Sequence, residues 1–317
     1  MSKLLKAVDE RTKLAGANRL EVLMFSMGKD QQTGREEIYA VNVFKVREVM
    51  HVPDITHAPD VPPSVEGMVS LRGTMVPVIN LARFCGITPD KEPAVLIVTE
   101  YNRQTQGLLV DSVDNILRLN WTEVKVPPPM MANRMGGLIT AVTELDDGRI
   151  AMILDVEKVL AETGQSVDDP SMFEGLERIN KDTLVVFADD SSVARRQIES
   201  TLEHLGLKYV SAKNGKEAWD TLLEMAQRAE TSGVHLNSRV GVILTDVEMP
   251  EMDGYVLTKN IKGDTRFNGI PVIMHSSLSA AANQSLGESV GADAYVAKFD
   301  PLELANMLRS VLGGDDG

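Results

Sequence analysis

Short apolar runs separated by Pro, Gly and charged clusters fill the first half of the chain, at residues 20–25, 38–43, 75–81, 94–99, 107–113, 138–142 and 150–154. Seven short runs with regular turn signals predict strands, and strands so punctuated predict a sandwich or barrel. Asp146-Asp147-Gly148 falls between the last two runs. An Asp-Gly pair tolerates positive φ, so a hairpin is expected there. Val126-Pro127-Pro128-Pro129 lacks three backbone donors and belongs in a loop or at a sheet edge. Arg47-Glu48-Val49-Met50 reads as the close of a short helix.

The pattern changes after residue 182. Buried-strand runs at 184–187, 209–212, 240–244, 271–274 and 294–296 now alternate with helical spacing. Ala194, Ile198, Thr201 and Leu205 recur on one helix face with Gly206 as a stop, and Ala218, Leu222 and Met225 mark a second helix. Asp300-Pro301-Leu302-Glu303 combines an N-cap acid, proline at the first helical position and a capping-box glutamate, ahead of Ala305, Leu308 and Leu312. This is a (βα)5 pattern, an α/β fold on a parallel sheet. Between the two patterns, the stretch from Thr163 to Asp182 is polar with little periodicity and reads as a linker. The expected organisation is an N-terminal arm at 1–19, an all-β domain at 20–162, a linker at 163–182 and an α/β domain at 183–317. No internal repeat stands out.

Composition narrows the function classes. A chain of 317 residues is long enough for two domains that each bury a core. A formal net charge of −14 argues against electrostatic binding of nucleic acid or anionic membrane. Cys85 is alone, so neither a disulfide framework nor a four-cysteine zinc site can form within the chain. No apolar run approaches membrane-spanning length and the first residues lack a signal-peptide core, so a cytoplasmic location is expected.

The candidate chemistry lies in the second half. In a parallel α/β sheet the carboxyl ends of the strands meet at one crevice. Four segments therefore converge: Asp189-Asp190, Asp246-Val247-Glu248, His275-Ser276-Ser277 and Lys298-Phe299. Singly each is ordinary, since paired acids often cap helices and a lone lysine is usually solvated. Jointly, at successive strand ends, coincidence is a poor account. Three close carboxylates repel by about 4 kcal/mol per pair at an effective dielectric of 20. A hard divalent cation relieves that repulsion, and an all-oxygen site that keeps waters suits Mg²⁺. A carboxylate oxygen attacking phosphorus needs its substrate's charge screened, while Ser276 and Lys298 can bind oxygens of the transferred phosphoryl group.

The first half holds no catalytic constellation. His51 and His57 share a proline-flanked loop and are expected to be solvated, because two histidines without a third ligand are weak grounds for a metal. Arg72 sits at a glycine turn between two apolar strands, although a lone turn arginine is more often solvated than functional.

From 182 to 312 the sequence resembles the receiver domain of two-component response regulators. The resemblance implies a flavodoxin-like fold with Asp246 as phosphoacceptor. Asp190, Asp246 and the backbone carbonyl of Glu248 become metal ligands, with Asp189 acting through water. Lys298 becomes the phosphoryl-binding cation, and Ser276 and Tyr295 the switch pair, Tyr295 rotating inward on phosphorylation. Two residues depart from the family pattern. Phe299 replaces the proline that usually follows the lysine with a cis peptide, and Glu248 brings an extra negative charge expected to tune acyl-phosphate lifetime. The Glu248→Ala dephosphorylation rate tests the latter.

Glu66-Gly67, Leu71-Arg72-Gly73, Pro77-Val78-Ile79-Asn80-Leu81 and the run from Ile38 to Val49 resemble the CheW family of chemotaxis coupling proteins, over 21–162. That resemblance implies two five-stranded SH3-like barrels without enzymatic activity, linking chemoreceptors (methyl-accepting chemotaxis proteins) to the histidine kinase CheA. Val46, Glu48, Val49 and Arg72 fall where the family contacts those partners. A coupling domain followed by a receiver is the arrangement of CheV-type chemotaxis proteins. The implied function is an adaptor that couples receptors to kinase, modulated for adaptation by Mg²⁺-dependent phosphorylation of Asp246, and catalysing nothing but that phosphorylation. A phosphate sink that drains the kinase is the alternative. A Mg²⁺-dependent phosphatase with a nucleophilic aspartate fits less well: it needs a proton-donating acid where Glu248 stands and leaves Asp189-Asp190 unexplained.

Overall fold

The computed structural model describes residues 19–101, 104–132, 134–163, 170–276, 287–298 and 300–313. The expected arm lies outside them apart from residue 19. The described residues divide into two compact units, one up to residue 163 and the other from residue 170.

Ten strands build the first unit: β1 (Arg19–Ser26), β2 (Ile38–Asn42), β3 (Val46–His51), β4 (Val65–Leu71), β5 (Thr74–Asn80), β6 (Val95–Tyr101), β7 (Gln104–Val110), β8 (Ser112–Asn120), β9 (Ile139–Glu144) and β10 (Ile150–Leu154). They form two five-stranded sheets, ordered β8-β1-β2-β10-β9 and β3-β6-β7-β5-β4. Along both orders the pairings run antiparallel, antiparallel, parallel, antiparallel. The sheets therefore share one topology, in which the first takes its counterparts of β6 and β7 from the start of the chain. This circularly permuted duplication leaves no sequence repeat, because strand pairing constrains alternation and not residue identity.

Three cores hold the unit. Leu20, Val22, Ala40, Leu119 and Ala141 cluster on the first sheet, and Val69, Val76, Val78, Leu96 and Val98 on the second. A third core is shared: Leu23, Phe25, Tyr39 and Val41 meet Val46, Ile79, Leu81, Ile97 and Leu108. Each fully buried large aliphatic or aromatic side chain contributes about 1.5–3 kcal/mol. Three helices are short or peripheral: α1 (Leu81–Phe84), α2 (Pro129–Ala132) and α3 (Val156–Thr163).

The structure corrects three strand expectations. Residues 47–50 do not close a helix but lie in β3, where Val49 pairs with Ile97 and Met50 with Leu96. A tertiary partner overrides weak local propensity there. The run at 107–113 is cut at Asp111 into β7 and β8. β4 escapes an apolar-run search because it alternates, with Gly67 and Val69 buried and Met68 and Ser70 exposed. The hairpin at Asp146-Asp147-Gly148 is present, with Gly148 at φ 81° between antiparallel β9 and β10. Val126, Pro127 and Pro128 lie in a loop, and Pro129 opens α2.

The second unit is a parallel sheet of β11 (Leu184–Ala188), β12 (Lys208–Ala212), β13 (Val240–Thr245), β14 (Val272–Ser276) and β15 (Ala294–Ala297), ordered β12-β11-β13-β14-β15. Around it lie α4 (Ser192–Leu205), α5 (Gly215–Thr231), α6 (Gly254–Gly263) and α7 (Pro301–Leu312). One face buries Ile198, Leu202, Leu304 and Leu308 against Phe187, Leu244, Ile273 and Val296. The other buries Leu222, Leu257 and Ile261 against Val186, Ile243 and Val272. The expected parallel α/β alternation holds down to the caps, most of the stretch between β14 and β15 lying outside the described residues: Asp300 Oδ1 accepts from the Glu303 N–H at 2.9 Å, and Gly206 ends α4 at φ 73°. Strand order reverses between β11 and β13, and a crevice opens at such a switch point.

Candidate functional site

Asp189 and Asp190 leave the carboxyl end of β11. Asp189 Oδ1 accepts from the Ser191 N–H at 2.9 Å, and the Ser191 hydroxyl accepts from the Ala194 N–H at 3.4 Å as N-cap of α4. The acid pair is thus locked to the first turn of that helix. Asp246 follows β13, its N–H donating to the Ala188 carbonyl at 2.8 Å and its Oδ1 accepting from the Val247 N–H at 2.7 Å. Lys298 follows β15, and its N–H donates to the Ser276 carbonyl at 3.0 Å.

These elements bring the charges together. Lys298 Nζ lies 2.7 Å from Asp189 Oδ2 and 2.9 Å from Asp246 Oδ2, with its side chain 3% exposed. Carboxylate oxygens of Asp189, Asp190 and Asp246 all lie within 4.8 Å of one another. One buried ammonium bridging two carboxylates leaves the cluster acidic, and hard oxygen donors at this spacing fit a small divalent cation.

Ser276 ends β14 with 1% exposure. Its hydroxyl shares a hydrogen bond with the Tyr295 phenol. Burial pushes that phenol up to about 12; the Ser276 bond opposes the rise, while Asp246 and Glu248 add to it. Tyr295 itself is half-buried. Lys298-Phe299 as a peptide lies outside the described residues, as does Ser277.

Sequence reading missed three neighbours and gave His275 no role of its own. Gly254 N–H donates to the Val247 carbonyl at 2.9 Å, and a Cβ on Gly254 would sit 2.0 Å from the Asp246 carbonyl oxygen, so only glycine lets α6 start against the acidic loop. The next residue, Tyr255, has its phenol raised by burial and by Tyr295, Glu248, Asp253 and Asp246. Arg195 reaches back one and a half turns to donate to the Asp189 carbonyl at 2.6 Å. A basic residue in the second turn after an acid pair was the available signal. His275, fully buried, is pushed down to about 3 by desolvation and by Lys298, so it adds no charge near neutral pH.

In the first unit, Arg72 and Gly73 form the turn between β4 and β5 at φ 52° and 85°. Arg72 Nη2 bonds Glu48 Oε2 on β3 at 3.0 Å, with the arginine side chain 73% exposed and the glutamate 12%. Val49, the next residue on β3, is half-buried and packs against the shared core. Val46 is 4% exposed and belongs to the shared core, so of the four expected partner residues it offers no contact surface. His57 Nδ1 is within 2.8 Å of the Glu66 carbonyl and remains exposed.

The comparisons with known proteins match this division. Residues 21–164 match the CheW-like domain, and residues 185–309 match the response regulator receiver domain. The chain is 30% identical to chemotaxis protein CheV2 of Helicobacter pylori, over 98% of this chain and 100% of that protein. It belongs to the CheV family of chemotaxis proteins. CheV1 of the same organism is 28% identical over 98% of this chain and 99% of its own length. The second unit by itself is similar to chemotaxis protein CheY1 of Helicobacter pylori, 36% identical over 42% of this chain and 98% of that protein. As a CheV-family member, the chain acts in chemotactic signal coupling and joins a CheW-like all-β domain to an α/β receiver. Among the described residues, no helix is long and apolar enough to cross a membrane.

Proposed function

We propose that this CheV-family chain couples chemoreceptors to the histidine kinase CheA through its first domain, and that phosphorylation of Asp246 modulates that coupling for adaptation. One observation carries the reading: Asp246 lies with Asp189 and Asp190 at the switch point of the sheet, and Lys298 bridges it to Asp189. Asp190, Asp246 and the Glu248 carbonyl would hold Mg²⁺ directly and Asp189 through water. The cation would supply charge screening for an incoming phosphoryl group.

The chain's own residues do the rest. An Asp246 carboxylate oxygen forms a bond to phosphorus as the phosphorus–nitrogen bond of a phosphohistidine breaks, and the imidazole leaves with the electron pair. Lys298, released from Asp189 or Asp246, neutralises a phosphoryl oxygen, and Ser276 donates to another. Water later hydrolyses the acyl phosphate and restores the carboxylate. In this reading the chain turns over no other substrate: the protein is an adaptor whose chemistry is its own phosphorylation.

Arg72, Glu48 and Val49 would form the partner-facing patch of the coupling domain. The ion pair fixes the turn arginine against β3, so a rigid, charged shape is offered to receptor or kinase. Phosphotransfer from the kinase tests the whole. Wild type should take up about one phosphoryl group per chain and Asp246→Ala none; equal labelling of both would overturn the assignment.

A further inference from the structure

The stretch before β11 reads as polar linker, yet its second part is bound to the receiver. The Phe173 ring stacks on His204 at 4.5 Å between centroids, with 5° between planes. Ile179 is 8% exposed in the core beside Leu205 and Leu308, and its N–H donates to the Leu205 carbonyl at 2.9 Å. Arg309 Nη2 donates to the Glu177 carbonyl at 2.6 Å. The Lys181 ammonium donates to the Leu312 carbonyl, a free acceptor at a helix C-terminus.

These contacts fall on two short stretches of the fold. His204 and Leu205 end α4; Arg309 and Leu312 belong to the last turn of α7. Both helices begin at the acidic site. α4 starts directly after Asp189, Asp190 and its cap Ser191, and α7 starts three residues after Lys298. In this structure the two starts are joined by the Lys298–Asp189 ion pair. At 1.5 Å per residue, the 14 residues of α4 and 12 of α7 carry that junction about 18–21 Å to the strap.

We infer that residues 172–182 are an output strap, through which the state of the acidic site is passed to the chain leading into the coupling domain. The inference rests on Asp246 being the phosphoacceptor. A phosphoryl group on Asp246 competes with Asp189 for Lys298, which loosens the α4 start from the α7 start. A packed helix moves as a body, so the change reappears at its far end. There the strap bridges both helices and is sensitive to their relative position. Toward its N-terminus the chain leads from the strap to the coupling domain, so the two are covalently linked.

Amide hydrogen exchange on the full chain tests this, with and without Mg²⁺ and beryllium fluoride as phosphoryl mimic. Peptides spanning 246–255 and 294–298 report the site, and a peptide spanning 174–183 reports the strap. The expected result is slower exchange at the site and about fivefold or greater acceleration in the strap, within the usual span of coupling between sites. A site that responds while the strap is unchanged or slower overturns the strap and leaves the phosphoacceptor intact. Silence at the site overturns both. The double variant Phe173→Ala/Arg309→Ala, which leaves the acidic cluster untouched, should label at the wild-type rate yet lose the phosphorylation-dependent change in kinase activity; retention of that change overturns the proposal.

Discussion

The exposed ion pair of the first domain and the buried Lys298 cluster of the second work on opposite principles. Arg72–Glu48 spans 3.0 Å with its arginine 73% exposed, whereas Lys298 meets two carboxylates at 2.7 and 2.9 Å with its side chain 3% exposed. An exposed pair is solvated and screened, and is worth about 0–1 kcal/mol. A buried cluster has lost its hydration, so removing one partner strands the others. In the proposed function the coupling region would use charge to shape a surface for its partners. The receiver region stores charge where a small change of ligand or proton alters the energy of the whole site. On that reading one half is built to be recognised and the other to be switched.

The strongest way to break this contrast is to remove the buried cation. Lys298→Met keeps the stem but leaves Asp189 and Asp246 facing each other, and should destabilise the receiver by about 3–5 kcal/mol without divalent cation. Millimolar Mg²⁺ should restore a good part of that loss by binding the native cluster. Urea unfolding followed at Trp219 measures both, and a midpoint equal to wild type would sink the claim.

Proton binding gives a second, smaller lever. His275 has its folded value at about 3, far below the unfolded 6.5, so between those values only the unfolded chain takes up the proton. Its contribution therefore erodes stability as pH falls below about 6.5, with a slope of up to about 1.4 kcal/mol per pH unit. Unfolding midpoints of wild type and His275→Val at pH 7 and pH 5 should diverge, the variant losing less. Parallel losses would mean that His275 is protonated in the folded protein.

The smallest stability effect is expected at the surface pair. Arg72→Ala should change stability by under about 1 kcal/mol while abolishing receptor-dependent kinase stimulation in a reconstituted array. Retained stimulation would make Arg72–Glu48 an ordinary turn brace and erase the contrast between the two regions.

Much of the receiver was legible because its strands are buried on both faces and read as continuous apolar runs. The acids, Ser276 and Lys298 then followed from where such strands end. The first domain was harder. β4 buries one face and contains Gly67, so it shows alternation in place of a run. β3 carries Arg47, Glu48 and Met50, which suit a helix until β6 pairs with them. Val46 looked like a contact residue by position, and only the meeting of two sheets made it core. The strap was hidden for the same reason: Phe173, Leu176 and Ile179 are too few and too irregular to show a period.

By itself the sequence determined the division into two domains, the α/β class of the second and the set of groups gathered at its strand ends. Those follow from local rules: period, capping and the common direction of parallel strands. Tertiary structure alone decided that Lys298 bridges Asp189 and Asp246, that Arg72 leans on Glu48 and that the apparent linker is fastened to α4 and α7. Each joins residues distant in sequence, and such contacts depend on which surfaces meet when the cores close, which no local pattern encodes.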